Sequence, residues 1–231
     1  MLTVNSLNQF YGQSHTLWDL EFEIPDSACL CVLGRNGVGK TTLLQSIMGL
    51  VPSVTGDILY EGQNLVNKPA EYRAPAGIGY IPQGRQIFSQ LTVEENIRTG
   101  CFARKNFKSS MWDEVYTMFP VLASMRRRRG GDLSGGQQQQ LAIARALMLE
   151  PQLIIMDEPT EGIQPTIVQE IGEIIQRLCS EKNITVVIVE QKLAFARMVG
   201  SRFIILDRGR LVAQGDMDLL SDELVQEYLT V

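Results

Sequence analysis

The 231 residues are 45% apolar and 20% charged, a globular balance that excludes a disordered or fibrous chain. That length fits one large domain, or a domain carrying an inserted lobe. A formal net charge of −5 supplies no general basic footprint, so nucleic acid is not an expected partner.

No apolar run reaches the roughly 18–20 residues that span a bilayer, and Met1–Asn5 shows no basic region leading into an apolar stretch. The chain is therefore expected in the cytosol. Cys29 and Cys31 lie two apart in an apolar run, on one face of a strand. With Cys101 and Cys179 distant and His15 the sole imidazole, the four cysteines read as reduced core thiols rather than as metal ligands or disulfides.

In chain order, residues 17–24 alternate with Leu20, Phe22 and Ile24 on one face, predicting a half-exposed strand, and the continuous apolar run 28–33 predicts a buried one. A glycine-rich turn follows, then Leu43, Leu44, Ile47 and Met48 at helical spacing, closed by Gly49 and Pro52. Residues 78–81 form another short apolar run. From about 91 to 150 there is no convincing strand; Thr92-Val93-Glu94-Glu95 has the form of a capping box, and a second helix is expected around Met111–Phe119. Apolar runs resume at 153–156 and 184–189, separated by an amphipathic helix marked by Ile167, Ile171, Ile174, Ile175 and Leu178. Near the end, 203–206 and 211–213 flank Asp207-Arg208-Gly209-Arg210, predicting a hairpin with a four-residue turn. The pattern predicts an α/β protein: a core over approximately 1–88 and 151–231, with a helical subdomain inserted at approximately 89–150.

Gly34-Arg35-Asn36-Gly37-Val38-Gly39-Lys40-Thr41 has the spacing of a phosphate-binding P-loop, in the required place between strand and helix. Triphosphate oxygens need converging donors, and glycines let backbone N–H groups wrap them at the positive end of a helix. Residues Gly34 to Thr42 are the expected ATP contacts, with Lys40 a point charge for the β and γ phosphates and the Thr41 hydroxyl a ligand for Mg²⁺. A plain strand-to-helix connection is the bland alternative. Further on, Leu153–Met156 runs into Asp157-Glu158, two adjacent acids at the end of a buried strand. Asp157 suits a magnesium shell and Glu158 suits polarising the attacking water, although two acids could also simply cap a strand end.

Leu133-Ser134-Gly135-Gly136-Gln137 resembles the signature of ATP-binding-cassette ATPases, and the likeness extends over nearly the whole chain. From the residues alone, Ser134 with Gln137 three positions on caps a helix. The resemblance implies a RecA-like P-loop NTPase core with N-terminal antiparallel strands. It also implies ATP and Mg²⁺ as cofactors, and that Ser134, Gly135, Gly136 and Gln137 meet ATP held on a second cassette. It places Tyr11 against adenine, where taken alone it reads as a packing residue, and gives Gln83 a part in the metal site and in sensing the membrane subunit. Two positions depart from the family pattern. Gln164 stands where an aspartate is common, and Gln191, the expected catalytic partner of Glu158 and Lys40, stands where a histidine usually contacts the γ-phosphate. Gln191 can donate a hydrogen bond but cannot become cationic.

Pro82-Gln83-Gly84-Arg85, Leu91–Asn96 and Val189-Glu190-Gln191 are similar to ATPase subunits of bacterial branched-chain amino acid importers. Within that branch, the glutamine run 137–140 and Thr160–Pro165 look most like urea importers. The branch implies a second, non-identical cassette (a homodimer in isolation), two integral membrane permeases and a substrate-binding protein. The chain would then sit peripherally at the cytoplasmic face of the inner membrane. The run Arg126–Arg129 is a solvated face or a contact with the permease or the opposing nucleotide. Rival readings are a non-transport cassette, an exporter, and a cassette that binds nucleotide but hardly turns it over.

Overall fold

The computed structural model describes residues 1–103 and 108–230. In chain order it contains β1 (Leu2–Tyr11), β2 (Ser14–Ile24), β3 (Cys29–Leu33), α1 (Lys40–Met48), β4 (Val54–Tyr60), β5 (Gln63–Asn64) and β6 (Ile78–Ile81). Then come α2 (Val93–Thr99), α3 (Ser110–Met118), α4 (Pro120–Ser124), α5 (Gly135–Leu147), β7 (Leu153–Asp157) and α6 (Pro165–Ser180). The chain finishes with β8 (Thr185–Val189), α7 (Leu193–Val199), β9 (Arg202–Asp207), β10 (Arg210–Asp216) and α8 (Asp222–Tyr228).

Strands β3, β6, β7, β8 and β9 are the apolar runs, and a strand with no polar face must be covered on both sides. They form one parallel sheet, ordered β10-β9-β3-β8-β7-β6, with β10 antiparallel at its edge. The two-residue period divides its side chains between two cores. Cys29, Cys31, Ile154, Met156, Val186, Ile188, Phe203 and Ile205 face one cluster, where α5, α6 and α7 supply Leu141, Ile171, Ile175 and Phe195. Leu30, Val32, Ile155, Val187, Ile204 and Leu206 face the other, filled by Leu43, Leu44 and Ile47 of α1 and by β1 and β2. The second sheet is antiparallel, ordered β2-β1-β4-β5. This is the α/β P-loop arrangement with an N-terminal antiparallel sheet.

Between β6 and β7 the described residues hold α2 to α5 and no strand, apart from a single bridge pairing Thr92 with Arg129. Residues 104–107 of the lobe expected at 89–150 lie outside the described residues. Thr92 caps α2 reciprocally: its hydroxyl accepts the Glu95 N–H at 3.2 Å, and the Glu95 carboxylate accepts the Thr92 N–H at 2.8 Å. Val93, Ile97, Val115 and Leu122 of these helices, and Phe119 between α3 and α4, join the same core cluster as α5. No helix among the described residues is long and apolar enough to cross a membrane.

The C-terminal hairpin corrects one expectation. Asp207 pairs directly with Arg210, so the turn has two residues rather than four. Arg208 and Gly209 both take positive φ, 44° and 75°, the type I′ geometry whose twist matches that of the flanking strands.

Candidate active site

The loop after β3 has little freedom. Gly34 has φ 139°, and a Cβ there would come within 2.3 Å of the Leu206 carbonyl oxygen; Gly39 has φ 108°, and its Cβ would meet Leu17 at 2.7 Å. Only glycine satisfies both the backbone angle and the space. Lys40 draws the loop closed, its Nζ donating to the carbonyls of Gly34 and Arg35 at 2.8 Å each. Gly39, the residue preceding α1, has no side chain to cap it, and the first turn carries no acid. The positive end of the helix therefore has no local counter-charge.

A cavity of about 400 Å³ opens over this loop. Of the residues expected at the site it brings together Asn36, Gly37, Gly39, Lys40, Thr41, Thr42, Gln83, Glu158 and Gln191. Gly34 and Arg35 line an adjoining cavity that shares Asn36 and Gln191 with the first, and Arg35 donates to the Thr230 carbonyl. Val38 is buried in the core against α1. Tyr11 is 45% exposed where β1 turns into β2, and is not among the residues lining the cavity. Neither are Ser134, Gly135, Gly136 and Gln137.

Beneath the cavity, β7 delivers Asp157 and Glu158 in different settings. Asp157 is 2% exposed, and neither carboxylate oxygen has a hydrogen-bond partner. Burial raises its pKa, with Glu158 adding in the same direction and the Thr41 hydroxyl and Lys40 opposing. Lys40 is the mirror case: burial lowers its pKa, and Glu158, Asp157 and Glu190 pull it back up. A buried carboxylate near the Thr41 hydroxyl, below a cavity that Thr41 and Gln83 both line, offers hard oxygen donors, and it fits Mg²⁺.

Glu158 instead is half-buried and faces the cavity. Its φ is 48°, an uncommon angle for a side chain of this size, and its N–H is held by the Val189 carbonyl at 2.9 Å. Its carboxylate is gripped by two amides. Gln83 Nε2 donates to one oxygen at 3.2 Å and Gln191 Nε2 donates to the other. Gln83 also reaches Glu161 at 3.1 Å. Both partners are neutral donors, so they orient the carboxylate without protonating it.

The string at 133–137 starts α5. Ser134 accepts the Gln137 N–H at 3.3 Å, and Gln137 Oε1 accepts the Ser134 N–H at 3.0 Å, a complete capping box. A Cβ on Gly136 would meet Ile167 of α6 at 2.6 Å, so this glycine serves packing. Gln164 is the residue before α6 and its side chain makes no cap; Pro165 begins the helix instead.

Sequence reasoning passed over three residues. Thr16 and Glu161 line the cavity. Glu190, only 3% exposed, receives the Thr160 hydroxyl at 2.7 Å. An acid following a run of buried positions was the available signal for Glu190, and nothing local marked the other two.

The ABC transporter family model matches residues 17–161. The chain is 39% identical to the high-affinity branched-chain amino acid transport ATP-binding protein BraG of Pseudomonas aeruginosa, over 92% of this chain and 91% of that one. It is 33% identical to a probable branched-chain amino acid transport ATP-binding protein, LivF, of Archaeoglobus fulgidus, over 93% of this chain and 92% of that one. Among solved structures it resembles an ATP-binding cassette in its ADP conformation, with TM-score 0.85 and 27% identity over 98% of this chain and 97% of that one. It also resembles a dimeric cassette in a post-hydrolysis state with ADP and phosphate bound, with TM-score 0.84 and 25% identity over 94% of this chain and 99% of that one. With the P-loop cavity and its paired acids in place, these likenesses make the chain a member of the ABC transporter family, an ATP-binding and ATP-hydrolysing subunit.

Proposed function

We propose that this chain drives solute import and that its hydrolytic site is completed by a second cassette. The observation that carries the reading is the pair of acids at the P-loop: a buried Asp157 without a hydrogen-bond partner and a Glu158 held by two amides on the wall of a cavity of about 400 Å³. The α1 N-terminus and Lys40 bind the phosphates. Thr41, Asp157 and Gln83 would hold Mg²⁺, which neutralises phosphate charge. Glu158 orients water and accepts its proton as the water oxygen bonds to the γ-phosphorus and the bond to the ADP oxygen breaks. Gln191 keeps that carboxylate aimed. Ser134 is exposed, and Gly135 and Gln137 are half-buried, all outside the cavity lining, which supports use of this helix start by the opposite nucleotide.

The partners on this reading are a second cassette, two membrane permeases and a substrate-binding protein, with the chain peripheral at the cytoplasmic face of the inner membrane. A groove of about 810 Å³ between α1, β6 and α5 supports a permease contact, because it exposes Leu50, Phe88 and Phe102, the last to 79%. Residues 89–150 would then act as the helical subdomain linking that groove to the signature, and Tyr11 would meet adenine at the cavity rim.

For the solute we propose branched-chain amino acids, on the strength of the relatives at 39% and 33% identity. Urea is the second reading, favoured by the glutamine run 137–140 and by Thr160–Pro165. Uptake of labelled leucine and labelled urea in a deletion strain, restored by the wild-type chain and not by Glu158→Gln, tests both. Restoration of leucine uptake alone supports the first reading, urea alone the second, and neither overturns import of these solutes.

A further inference from the structure

The buried carboxylate of Glu190 is not part of the phosphate cavity lining, yet it joins the two segments that carry its reactive side chains. Oε2 accepts the hydroxyl of Thr160 at 2.7 Å, and Oε1 accepts the backbone N–H groups of Gln191 at 2.8 Å and Lys192 at 3.0 Å. Lys192 Nζ returns across the same gap to the Thr160 carbonyl at 2.9 Å. Thr160 is completely buried, and lies two residues after Glu158; Gln191 follows Glu190 directly. A charged acceptor taking three donors in a water-poor site forms strong, directional bonds. The loop after β7 and the loop after β8 are thus one hydrogen-bonded unit, with Glu190 at its centre and Gln191 projecting from it onto Glu158.

We infer that Glu190 is a positioning residue for hydrolysis: by bridging Thr160 to the Gln191 backbone it fixes the reach of the Gln191 amide to Glu158. It touches no reacting atom. Besides its electrostatic pull on Lys40, its hydrogen bonds act through Gln191, and coupling to Gln191 separates it from a residue that merely keeps the fold intact. The bridge requires acceptors at both ends of the side chain. Glu190→Gln retains one carbonyl oxygen for the two N–H groups and turns its amide toward the Thr160 hydroxyl, which can accept, so the bridge survives in that variant. Glu190→Ala removes it, and Thr160→Val removes only the hydroxyl without changing side-chain size.

The inference rests on the reading of Glu158 as the water-activating acid, and the experiment keeps the two apart. Phosphate release is measured with the full chain and Mg-ATP for Glu190→Ala, Glu190→Gln and Thr160→Val, each with and without Gln191→Ala, and for Glu158→Gln in parallel. In the otherwise wild-type chain, Glu190→Ala is expected to lower kcat about tenfold and Thr160→Val less, both with the KM for ATP within about twofold, whereas Glu190→Gln stays within about threefold of wild type. In the Gln191→Ala background Glu190→Ala adds less than about twofold. If Glu190→Ala costs the same factor in both backgrounds, or Thr160→Val leaves kcat unchanged, the positioning role is overturned. If Glu158→Gln turns over at the wild-type rate, the reading of Glu158 falls first. An inactive Glu158→Gln with additive Glu190→Ala sinks the Glu190 inference alone.

Discussion

The two proposed half-sites of this chain differ in how they are satisfied. Around the P-loop, charge is buried and unbalanced: Asp157 has no hydrogen-bond partner, and burial raises its pKa while lowering that of Lys40. At Ser134–Gln137 nothing is outstanding, because Ser134 and Gln137 cap each other at the solvent surface. The first region is incomplete until charged ligands arrive, since an unpaired buried carboxylate is costly. The second is finished as built and offers only the start of a helix. Ligand-dependent change should therefore concentrate at the P-loop, while the signature keeps its geometry throughout.

The contrast can be broken by substitution, beginning with the largest effect. Glu158→Gln keeps the size and the cavity but loses the base, and phosphate release should fall by about 10²–10⁴-fold with ATP binding preserved. Binding measured by equilibrium dialysis beside the rate checks both halves; a coupled loss of affinity would mean that Glu158 holds nucleotide rather than water. Ser134→Asp should be nearly silent in stability, within about 0.5 kcal/mol, because aspartate caps a helix as well as serine does. It should still cut turnover about 100-fold, by placing a carboxylate where a phosphate is due. Urea denaturation and phosphate release, run on the same preparation, read the two effects separately.

Packing provides a finer test. Gly136→Ala drives a methyl against Ile167 at 2.6 Å and should cost about 1–3 kcal/mol. Gly135→Ala meets only the Arg85 guanidinium, at 3.2 Å, and should cost less. Equal costs would show that α5 does not lean on α6 as described. The smallest expected effect has the opposite sign. Because the folded-state pKa of Asp157 stands above its unfolded value, stability is lost as pH rises through the carboxylate range. Asp157→Asn should therefore raise the Tm of the nucleotide-free chain at pH 7, and the gain should vanish in acid. Thermal unfolding at the two pH values checks the sign.

What could be read from the residues was local. β3, the P-loop and α1 are contiguous, and both capping boxes, at Thr92 and Ser134, are four-residue patterns. The antiparallel sheet was harder to read. β1 shifts register after Val4 and Leu7, with Ser6 at φ 45°, so its alternation breaks. Gly56 of β4 has φ 90° and faces the irregular part of β1, where a Cβ would approach the Ser6 carbonyl oxygen to 2.3 Å and that of Asn5 to 2.7 Å. The hairpin turn was read two residues too long because the strands extend into it up to Asp207 and Arg210. At the active site, the identities of Lys40, Asp157 and Glu158 were legible from spacing. The amide grip of Gln83 and Gln191 on Glu158 was not, since it joins residues 75 and 33 positions from that acid. Glu190 was unreadable for the same reason: its partner Thr160 lies 30 positions away.

If the ATPase is composite, neither half-site hydrolyses ATP without the other from a second chain, and mixing two variants separates the halves. Lys40→Ala disables the P-loop half and Ser134→Asp the signature half. Each full-length variant is assayed alone for phosphate release with Mg-ATP, then the two are mixed in equal amounts. Each alone should be at least about 100-fold slower than the wild-type chain. The mixture should recover about a quarter of the wild-type rate, because half of randomly assorted pairs carry one intact composite site out of two. Wild-type release by Ser134→Asp alone, or a mixture as inactive as its components when the wild-type chain is active, would contradict it.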